Sequence, residues 1–346
     1  MSPLFWNYLL AIDPSGRRFR GLIEDLGTLS LEPVSALMSH PAFRASDSEK
    51  LKKLKPRHLE AAIAAGVEAR TASQINDLFG AAEFVSPGLF LHGEADCLNQ
   101  PTIAIVGTRT CSPYGQACSY KFAEAFVRAG ATVVSGGAFG IDKAAHEGAL
   151  DGGGKTASVM GAGIDVYHPS AHKLLFERIR KQGVLLSQFP VGTPSLPGNF
   201  PARNPTIAAL SQAVVVIEAP EKSGALRTAR AAAELGRDVF VVPGAITSFG
   251  FRGSHALIRD GATLVDHPDQ VLDALGLEKG YASSTLEPVL NPMQQAIMAA
   301  LSESPIASEK IAEMAALDPS ETLVELTMLE MEGLILRHSA GYALKP

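Results

Sequence analysis

Short apolar runs alternate with amphipathic helical patterns between residues 103 and 265, and this alternation constrains the fold more than any other feature of the chain. The apolar runs are residues 103–106, 132–134, 157–160, 184–186, 214–217, 239–242 and 263–265. The helical patterns between them are residues 114–128, 143–150, 171–181, 205–210, 225–235 and 255–259. Strands that alternate with helices predict a parallel sheet covered on both faces, and near-continuous valine and isoleucine runs are typical of strands buried on both sides. We therefore predict an α/β fold with a doubly wound, Rossmann-like parallel sheet as its core.

The residues on either side of this region predict two smaller domains. Residues 1–88 contain short helical patterns and end at a turn, Ser86-Pro87-Gly88, which predicts an N-terminal helical domain. Residues 89–277 then hold the sheet, and the polar stretch 278–284 is predicted to be a linker. Residues 285–346 show three helical patterns followed by a β-hairpin pattern, which is typical of a winged-helix-like domain.

The composition predicts a folded, cytoplasmic protein with no metal site. Hydrophobic residues make up 46% of the 346 residues and charged residues 19%, which suits buried cores and not a disordered chain. No run approaches the roughly 20 apolar residues of a membrane helix. The apolar patch from Leu4 to Ile12 lacks the basic region and cleavage site of a secretory signal. Three cysteines without a Cys-x-x-Cys pair predict neither a zinc site nor a disulfide framework.

Charge is distributed unevenly along the chain. The formal net charge is −6, and the segment from Thr285 to Pro346 carries nine acidic and three basic residues, so the rest of the chain is balanced. A strong duplex-DNA binder usually has a basic excess, whereas the last predicted helix, residues 321–332, contains four glutamates and no base. We therefore expect any nucleic-acid site to be a local cluster of cations. The acidic C-terminal domain is either a protein-interaction module or a solvated surface.

The loops at the carboxyl ends of the predicted strands are the candidate site, because ligands of open parallel sheets bind there. Glycine and hydroxyl residues collect in these loops, as is typical where backbone N–H groups approach an anion. The candidates are Gly107, Thr108, Arg109 and Ser112 after the first strand, Ser135, Gly136, Gly140 and Asp142 after the second, and Ser223 and Gly224 after the fifth.

Two common nucleotide-binding signatures are missing from these loops. The first loop has Gly107 but no Gly-x-Gly-x-x-Gly, and the second strand ends in Ser135 rather than in the acidic residue that holds a ribose. No Gly-x-x-x-x-Gly-Lys-Ser/Thr occurs either. Since no nucleophile, base and orienting residue stand together, the sequence predicts no nucleotide cofactor and no enzyme.

Three residues outside the glycine-rich turns suit a single-stranded nucleic acid. Arg109 follows the strand-ending Gly107 by two residues and has a guanidinium shaped for phosphate, although position alone fits a surface ion pair equally well. Lys173 and Phe176 share a helix face and offer a phosphate contact beside a stacking plane. A core position is the alternative for Phe176.

Two residue pairs mark predicted helix starts. Asn204-Pro205 predicts an N-cap followed by a proline at the first helical position, and Arg203 before it faces either an anion or solvent. Asp142 and His146, four residues apart, suit an acid–base pair or two metal ligands. The favoured interpretation is a helix-capping aspartate and a locally hydrogen-bonded histidine.

Taken in order, these loops resemble the DNA-processing protein A (DprA/Smf) family from about residue 89 to residue 265. The motifs that carry the resemblance are Ile103-Ala104-Ile105-Val106-Gly107-Thr108-Arg109, Ser112-x-Tyr114-Gly115, Ser135-Gly136-x-Ala138-x-Gly140-Ile141-Asp142-x-x-Ala145-His146, Phe200-Pro201-x-Arg203-Asn204, Gly236-Arg237-x-Val239-Phe240-x-Val242-Pro243-Gly244 and Leu257-Ile258-x-x-Gly261-Ala262. Any one of these motifs is weak, but the ordered set is specific.

The resemblance implies a non-enzymatic protein of natural transformation that binds single-stranded DNA without sequence preference, protects incoming strands and loads the RecA recombinase. It implies a homodimer formed through the Rossmann-like domain, and an N-terminal domain of the SAM or helix-hairpin-helix type. It also implies a DNA site at Gly107, Thr108, Arg109, Lys173, Phe176, Arg203 and Asn204.

The chain departs from the family pattern at four positions. They are Pro205 in place of a second arginine, Gln188 in place of a glutamate, Ala225 in place of a hydroxyl residue and His255 in place of an asparagine. An alternative function is a nucleotide or phosphoribosyl hydrolase on a related fold, but the Pro-Gly-Gly-x-Gly-Thr loop of such enzymes is absent from the sequence. A duplex-DNA regulator that acts through the C-terminal domain is disfavoured by the acidity of that domain.

Overall fold

The computed structural model describes residues 3–14, 17–24, 33–54, 56–71, 74–80, 86–278, 291–302, 305–331, 335–338 and 341–344. The chain divides into two compact units, Met1–Gly280 and Tyr281–Pro346. All but the first residue of the predicted linker lies outside the described residues.

A nine-stranded sheet forms the centre of the first unit. In chain order its strands are β1 (Glu68–Thr71), β2 (Gly88–Gly93), β3 (Thr102–Val106), β4 (Thr132–Ser135), β5 (Thr156–Val159), β6 (Val184–Ser187), β7 (Ala213–Val216), β8 (Asp238–Val241) and β9 (Thr263–Leu264). Across the sheet the order is β1-β2-β6-β5-β4-β3-β7-β8-β9. The strands from β3 to β9 are parallel to their neighbours, whereas β1 and β2 pair in antiparallel fashion with each other and β2 with β6.

The prediction of a doubly wound parallel sheet is confirmed, and each predicted strand overlaps one of the strands from β3 to β9. Every residue of β3, β4, β5, β6 and β7 is buried, as expected for strands covered on both faces. The chain moves outward from β3 to β6 on one side and from β7 to β9 on the other. The strand order therefore reverses between β3 and β7, and a crevice forms at such a reversal beyond the carboxyl ends of the strands.

The helices of the first unit fall into two groups. Those before or at the sheet edge are α1 (Pro3–Ile12), α2 (Arg20–Glu24), α3 (Pro33–Ser39), α4 (Ala45–Lys52), α5 (Pro56–Ala64) and α6 (Asp77–Gly80). Those that cross between the later strands are α7 (Pro113–Arg128), α8 (Ile141–Asp151), α9 (Lys173–Gln182), α10 (Asn199–Ala209), α11 (Ala225–Glu234) and α12 (Arg252–Arg259), and α13 (Pro268–Ala274) follows the last strand.

The N-terminal helices share a hydrophobic core with the sheet. Phe5 and Trp6 of α1 lie in the same buried cluster as Phe90 of β2, Leu185 of β6 and Ile179 of α9. The strand β1, which the sequence assigns to a helical region, pairs with β2 at the edge of the sheet. The strand β1 has only four residues, of which Glu68 and Arg70 are charged. The sequence therefore contains no apolar run from which this strand could be predicted. The division at residue 88 stays a prediction.

One helix start predicted from the sequence is wrong. The helix α10 begins at Asn199, so Asn204 is an interior residue and not the N-cap, and Pro205 lies inside the helix. The side chain of Asn204 instead donates a hydrogen bond from Nδ2 to the carbonyl oxygen of Gly224 at 3.1 Å. The Asn-Pro pair is misleading because proline, which lacks an N–H, most often stands in a first turn.

The second unit confirms the winged-helix-like prediction. It contains α14 (Pro292–Ala300), α15 (Ser308–Ala315) and α16 (Pro319–Met331), followed by the antiparallel hairpin of β10 (Ile335–His338) and β11 (Gly341–Leu344). Its core contains Ile297, Ile311, Leu326, Leu329, Ile335 and Tyr342. Within the described parts of both units, no helix is long and apolar enough to cross a membrane.

Candidate nucleic-acid interface

A cleft of about 690 Å³ lies at the reversal of strand order. The loop after β3, the first half of α10 and the start of α11 supply most of its lining. Eight of the residues singled out from the sequence line it: Gly107, Thr108, Arg109, Asp142, Arg203, Asn204, Ser223 and Gly224. The structure thus brings together loops that are more than 100 residues apart in sequence.

The loop after β3 is held in place by Glu218, which follows β7. The Thr108 N–H donates to the carbonyl oxygen of Glu218 at 2.7 Å. The backbone N–H and the hydroxyl of Ser112 both donate to the Glu218 carboxylate, at 2.9 and 2.7 Å. Ser112 also caps α7, because its hydroxyl oxygen accepts from the N–H of Gly115 at 3.0 Å. The predicted supporting role of Ser112 therefore depends on a buried carboxylate.

The Glu218 carboxylate lies at the N-terminus of α7, where dinucleotide-binding Rossmann folds hold a pyrophosphate. Two glycines make room for it: a Cβ at Gly115 would overlap one carboxylate oxygen, and a Cβ at Gly250 would come within 2.5 Å of the other. An anionic ligand at this helix terminus would meet a negative charge at close range. The structure therefore gives a physical reason for the missing dinucleotide fingerprint.

A cation and an aromatic ring stand side by side in the cleft. The guanidinium carbon of Arg109 lies 4.7 Å from the centre of the Phe200 ring. The centres of the His168 and Phe200 rings are 5.6 Å apart. Arg109 is exposed and Phe200 is half-buried, so both are accessible to a ligand. The sequence places Phe200 in a motif but assigns it no role, because the predicted helix starts at Asn204 whereas α10 begins at Asn199 and includes Phe200.

The stacking role predicted for Phe176 is wrong. Its side chain is 0% exposed and packs between the rings of Tyr167 and His172, at centre-to-centre distances of 5.5 and 6.3 Å. A nucleobase cannot reach a ring enclosed in this way. Lys173 is the exposed first residue of α9 and does not line the cleft, so the structure does not bring it to the other predicted contacts.

Two cations of the cleft escape the sequence analysis. Lys222 and Arg227 are exposed and line the cleft on either side of the N-terminus of α11. The Ser223 hydroxyl accepts from the Ala225 N–H at 3.3 Å in the first turn of this helix. Asp142 is the one acidic residue in the described lining, against four basic residues, so the cleft is locally positive although the first unit is balanced.

Arg203 and Asp142 form the floor of the cleft. Both are buried; Nη1 of Arg203 donates to the carbonyl oxygen of Val159 at 2.6 Å, and the Asp142 carboxylate accepts from the N–H of Ala138 at 3.4 Å. Burial lowers the pKa of Arg203 to about 10, and Asp142 opposes that shift. Burial likewise raises the pKa of Asp142, and Arg203 opposes it. Arg203 thus stays charged at neutral pH, and its hydrogen bond to Val159 holds it beneath the loops of the cleft.

The remaining predicted residues have supporting roles beneath the cleft. A Cβ at Gly136 would overlap the guanidinium of Arg203, so only glycine allows this close packing. Gly140 has a φ of 74° and precedes α8, where the N–H of Ile141 donates to the carbonyl oxygen of Thr108 at 3.2 Å. The hydroxyl of Ser135 donates to the carbonyl oxygen of Ile105 at 2.7 Å.

His146 has a structural role. Its Nδ1 is 2.7 Å from the hydroxyl oxygen of Thr156, and burial lowers its pKa to about 3. This favours the interpretation of a locally bonded histidine over an acid–base pair with Asp142. In the described part of the chain, no three His, Cys, Asp or Glu side chains are grouped so as to hold a metal ion.

Comparison with known sequences connects both units to one family. Residues 75–276 match the family model described as DNA recombination-mediator protein A, and residues 281–341 match the DprA winged helix domain. Protein Smf of Escherichia coli is 38% identical over 267 residues, which cover 74% of this chain and 71% of that protein. The DNA processing protein DprA of Streptococcus pneumoniae is 44% identical over 184 residues, which cover 53% of this chain and 65% of that protein.

Solved structures agree with the sequence matches. The X-ray structure of DNA processing protein A from Streptococcus pneumoniae superposes with a TM-score of 0.65 at 33% identity, covering 79% of this chain and 98% of that chain. A structure of the Helicobacter pylori protein, described in terms of its unique single-stranded DNA binding mode, superposes with a TM-score of 0.53 at 27% identity and covers 61% and 95% of the two chains.

We predict that His146→Gln flattens the pH dependence of stability. Below its ordinary pKa of 6.5 the histidine takes up a proton in the unfolded chain but not in the folded one, whose pKa is about 3, so acid favours unfolding. At about 1.4 kcal/mol per pH unit, the parent should lose roughly 2 kcal/mol more than the variant between pH 6 and pH 4. Urea unfolding, followed by the fluorescence of the single tryptophan, Trp6, measures the free energy of unfolding of the parent and of the variant at each pH. The exposed His168→Gln is the control, and equal losses in parent and His146→Gln would contradict the assignment.

Proposed function

The chain belongs to the DNA recombination-mediator protein A family, and from the geometry of the cleft we propose that it binds single-stranded DNA. The observation that carries this proposal is the pair of Arg109 and Phe200, a phosphate-binding cation 4.7 Å from an accessible aromatic ring. Single-strand binders combine such cations with rings on which unpaired bases stack. In a duplex the bases are already stacked and paired, so none of them is free to stack on the Phe200 ring.

The cations around Phe200 suit a phosphate backbone that crosses the cleft. Arg109 lies on one wall, and Lys222 and Arg227 flank the N-terminus of α11 on the other. The backbone N–H groups in the first turn of α11 form the positive end of the helix dipole. No carboxylate in the described lining of the cleft caps this helix end. Contacts of this kind carry no base information, so we propose binding without sequence preference.

Catalysis finds little support in the cleft. Its single described acidic residue, Asp142, is buried against Arg203 and bonded to Ala138, so it has no second carboxylate beside it for acid–base hydrolysis. This argues against the alternative of a nucleotide or phosphoribosyl hydrolase. We propose that the protein is not an enzyme and that it needs no cofactor.

We further propose that the protein acts in the cytoplasm on DNA taken up in natural transformation and passes it to the RecA recombinase. A strand whose backbone lies in a cleft is shielded from nucleases and cannot fold on itself. A recombinase filament requires such an unpaired strand. Family membership supports this role, and the Streptococcus pneumoniae relative is a DNA processing protein.

The salt dependence of binding tests the cations. If Arg109, Lys222 and Arg227 neutralise about three phosphates, log affinity for a single strand should fall against log salt with a slope near −2, from about −0.7 per contact. Arg109→Ala should weaken binding to all sequences alike and flatten the slope by about 0.7. Lys173→Ala removes the same charge outside the cleft and is the matched control. Anisotropy titrations with single-stranded and duplex oligonucleotides decide the question: tighter duplex binding, or equal effects of the two variants, would contradict the proposal.

The two phenylalanines separate stacking from packing. Phe200→Ala should weaken single-strand binding by about 1–3 kcal/mol, while the salt slope stays that of the parent. Phe176→Ala should instead lower the free energy of unfolding by about 3–5 kcal/mol, because it opens a cavity in the core. Binding and urea unfolding are measured on both proteins. The assignment fails if well-folded Phe200→Ala binds like the parent.

We also propose that two copies associate through the free edge at β9. Among the described strands β9 pairs only with β8, and its Leu264 is 48% exposed, which is a surface open to a second copy. The parent should sediment at twice 36.4 kDa, and Leu264→Lys should shift it to the monomer and weaken binding to long strands more than to short ones. A parent protein that sediments at 36.4 kDa at micromolar concentration rules the dimer out.

A further inference from the structure

The helix α16 has apolar side chains on two opposite faces. Thr322, Leu326 and Leu329 are buried against the second unit's core. At about 100° per residue, the exposed residues Val324 and Met328 lie on the far side of the helix, and the exposed Leu323 lies about 90° from the buried face. Leu323, Val324 and Met328 are 49%, 62% and 46% exposed, and we call these three side chains the outer stripe of α16. Val324 and Met328 are neighbours at a spacing of four residues, and the exposed Thr327 lies between them and Leu323. Single apolar residues are normal on a surface, whereas several exposed apolar side chains on one part of a helix mark an interaction site.

Carboxylates border this stripe on both sides. The same helical geometry places Glu321 in line with Met328, two turns before it, and Glu330 in line with Leu323, two turns after it. The described residues of the second unit include six acidic side chains and two basic ones, Lys310 and Arg337. A partner would therefore meet exposed apolar side chains with a carboxylate on either side of them.

This face does not suit a nucleic acid. α16 is the third helix of a winged-helix-like unit, the place where DNA-binding relatives of this architecture put their recognition helix. Recognition helices bind with basic and amide side chains, but α16 carries no base. Phosphates would be repelled by Glu321 and Glu330 and would leave the outer stripe exposed to water.

We propose that the outer face of α16 binds an amphipathic helix of a partner protein, whose apolar side is flanked by lysine or arginine. Burial of Leu323, Val324 and Met328 supplies the favourable free energy, as in other complexes where a helix lies along an apolar surface. Cations on both sides of the partner's apolar face pair with Glu321 and Glu330 and fix its orientation. The proposal does not depend on the DNA cleft of the first unit.

Three synthetic 18-residue peptides test the chemistry of the partner on the full chain. The first has leucines on one helical face with lysines on both borders, the second replaces the lysines by glutamates, and the third scrambles the first so that no apolar face remains. Fluorescence anisotropy should show that the first peptide binds at least tenfold more tightly than the other two. Its affinity should fall with salt, because the flanking pairs are exposed.

Substitutions then locate the binding surface. The double variant Val324→Ser and Met328→Ser should lower the affinity for the first peptide at least fivefold. Met38→Ser is the matched control, since Met38 is 50% exposed on α3 of the first unit and should have no effect. The double variant Glu321→Lys and Glu330→Lys should reverse the preference, so that the glutamate peptide binds more tightly than the lysine peptide. Circular dichroism checks that each variant is folded.

Several results would overturn the proposal. One is that the parent and the serine double variant bind the lysine peptide equally, and another is that charge reversal leaves the order of the peptides unchanged. A parent dimer that the serine substitutions dissociate would assign the face to a second copy of the chain. A loss of duplex-DNA binding in the same variant would assign it to nucleic acid.

Discussion

The buried carboxylate of Glu218 is the interaction on which the cleft depends. Glu218 joins the end of β7 to the loop after β3 through three hydrogen bonds, two to its carboxylate and one to its backbone carbonyl oxygen, across the point where the strand order reverses. Because its charge lies at the N-terminus of α7, the strongest anion site of a Rossmann-like sheet is already filled from within. The groups in the cleft that remain able to bind an anion are the exposed Arg109 on one side and the start of α11 on the other. Their separation favours an extended anionic chain over a compact pyrophosphate.

The fold was largely predictable because its core strands are buried on both faces. A run such as Val214, Val215 and Val216 has few alternatives, and alternation with helical patterns then requires a parallel sheet. The errors occur where local rules compete with tertiary contacts. Asn204-Pro205 has the local chemistry of a helix start, yet the bond from Asn204 to Gly224 places the pair inside α10. The charged edge strand β1 follows no apolar pattern at all.

The candidate site was predictable in its loops but not in its aromatic residue. The carboxyl ends of parallel strands meet at one edge, so Gly107, Thr108 and Arg109 could be placed there from the sequence. Lys173 and Phe176 share a helix face, but spacing alone does not tell which face is buried. The face of Phe176 packs on Tyr167 and His172, and the accessible ring is that of Phe200, which α10 carries beneath Arg109.

The charge distribution of the chain bears on how such a cleft selects its ligand. With a formal net charge of −6, the protein has no long-range field that draws DNA toward it, and a Debye length of about 8 Å confines attraction to groups that nearly touch the strand. The four basic residues of the cleft therefore attract only a phosphate backbone that enters the cleft. A flexible single strand can bend into the cleft and expose a base to Phe200, whereas a stiff duplex cannot bend in this way. The proposed selectivity for single strands thus rests on the shape of the site together with the absence of a basic excess in the first unit.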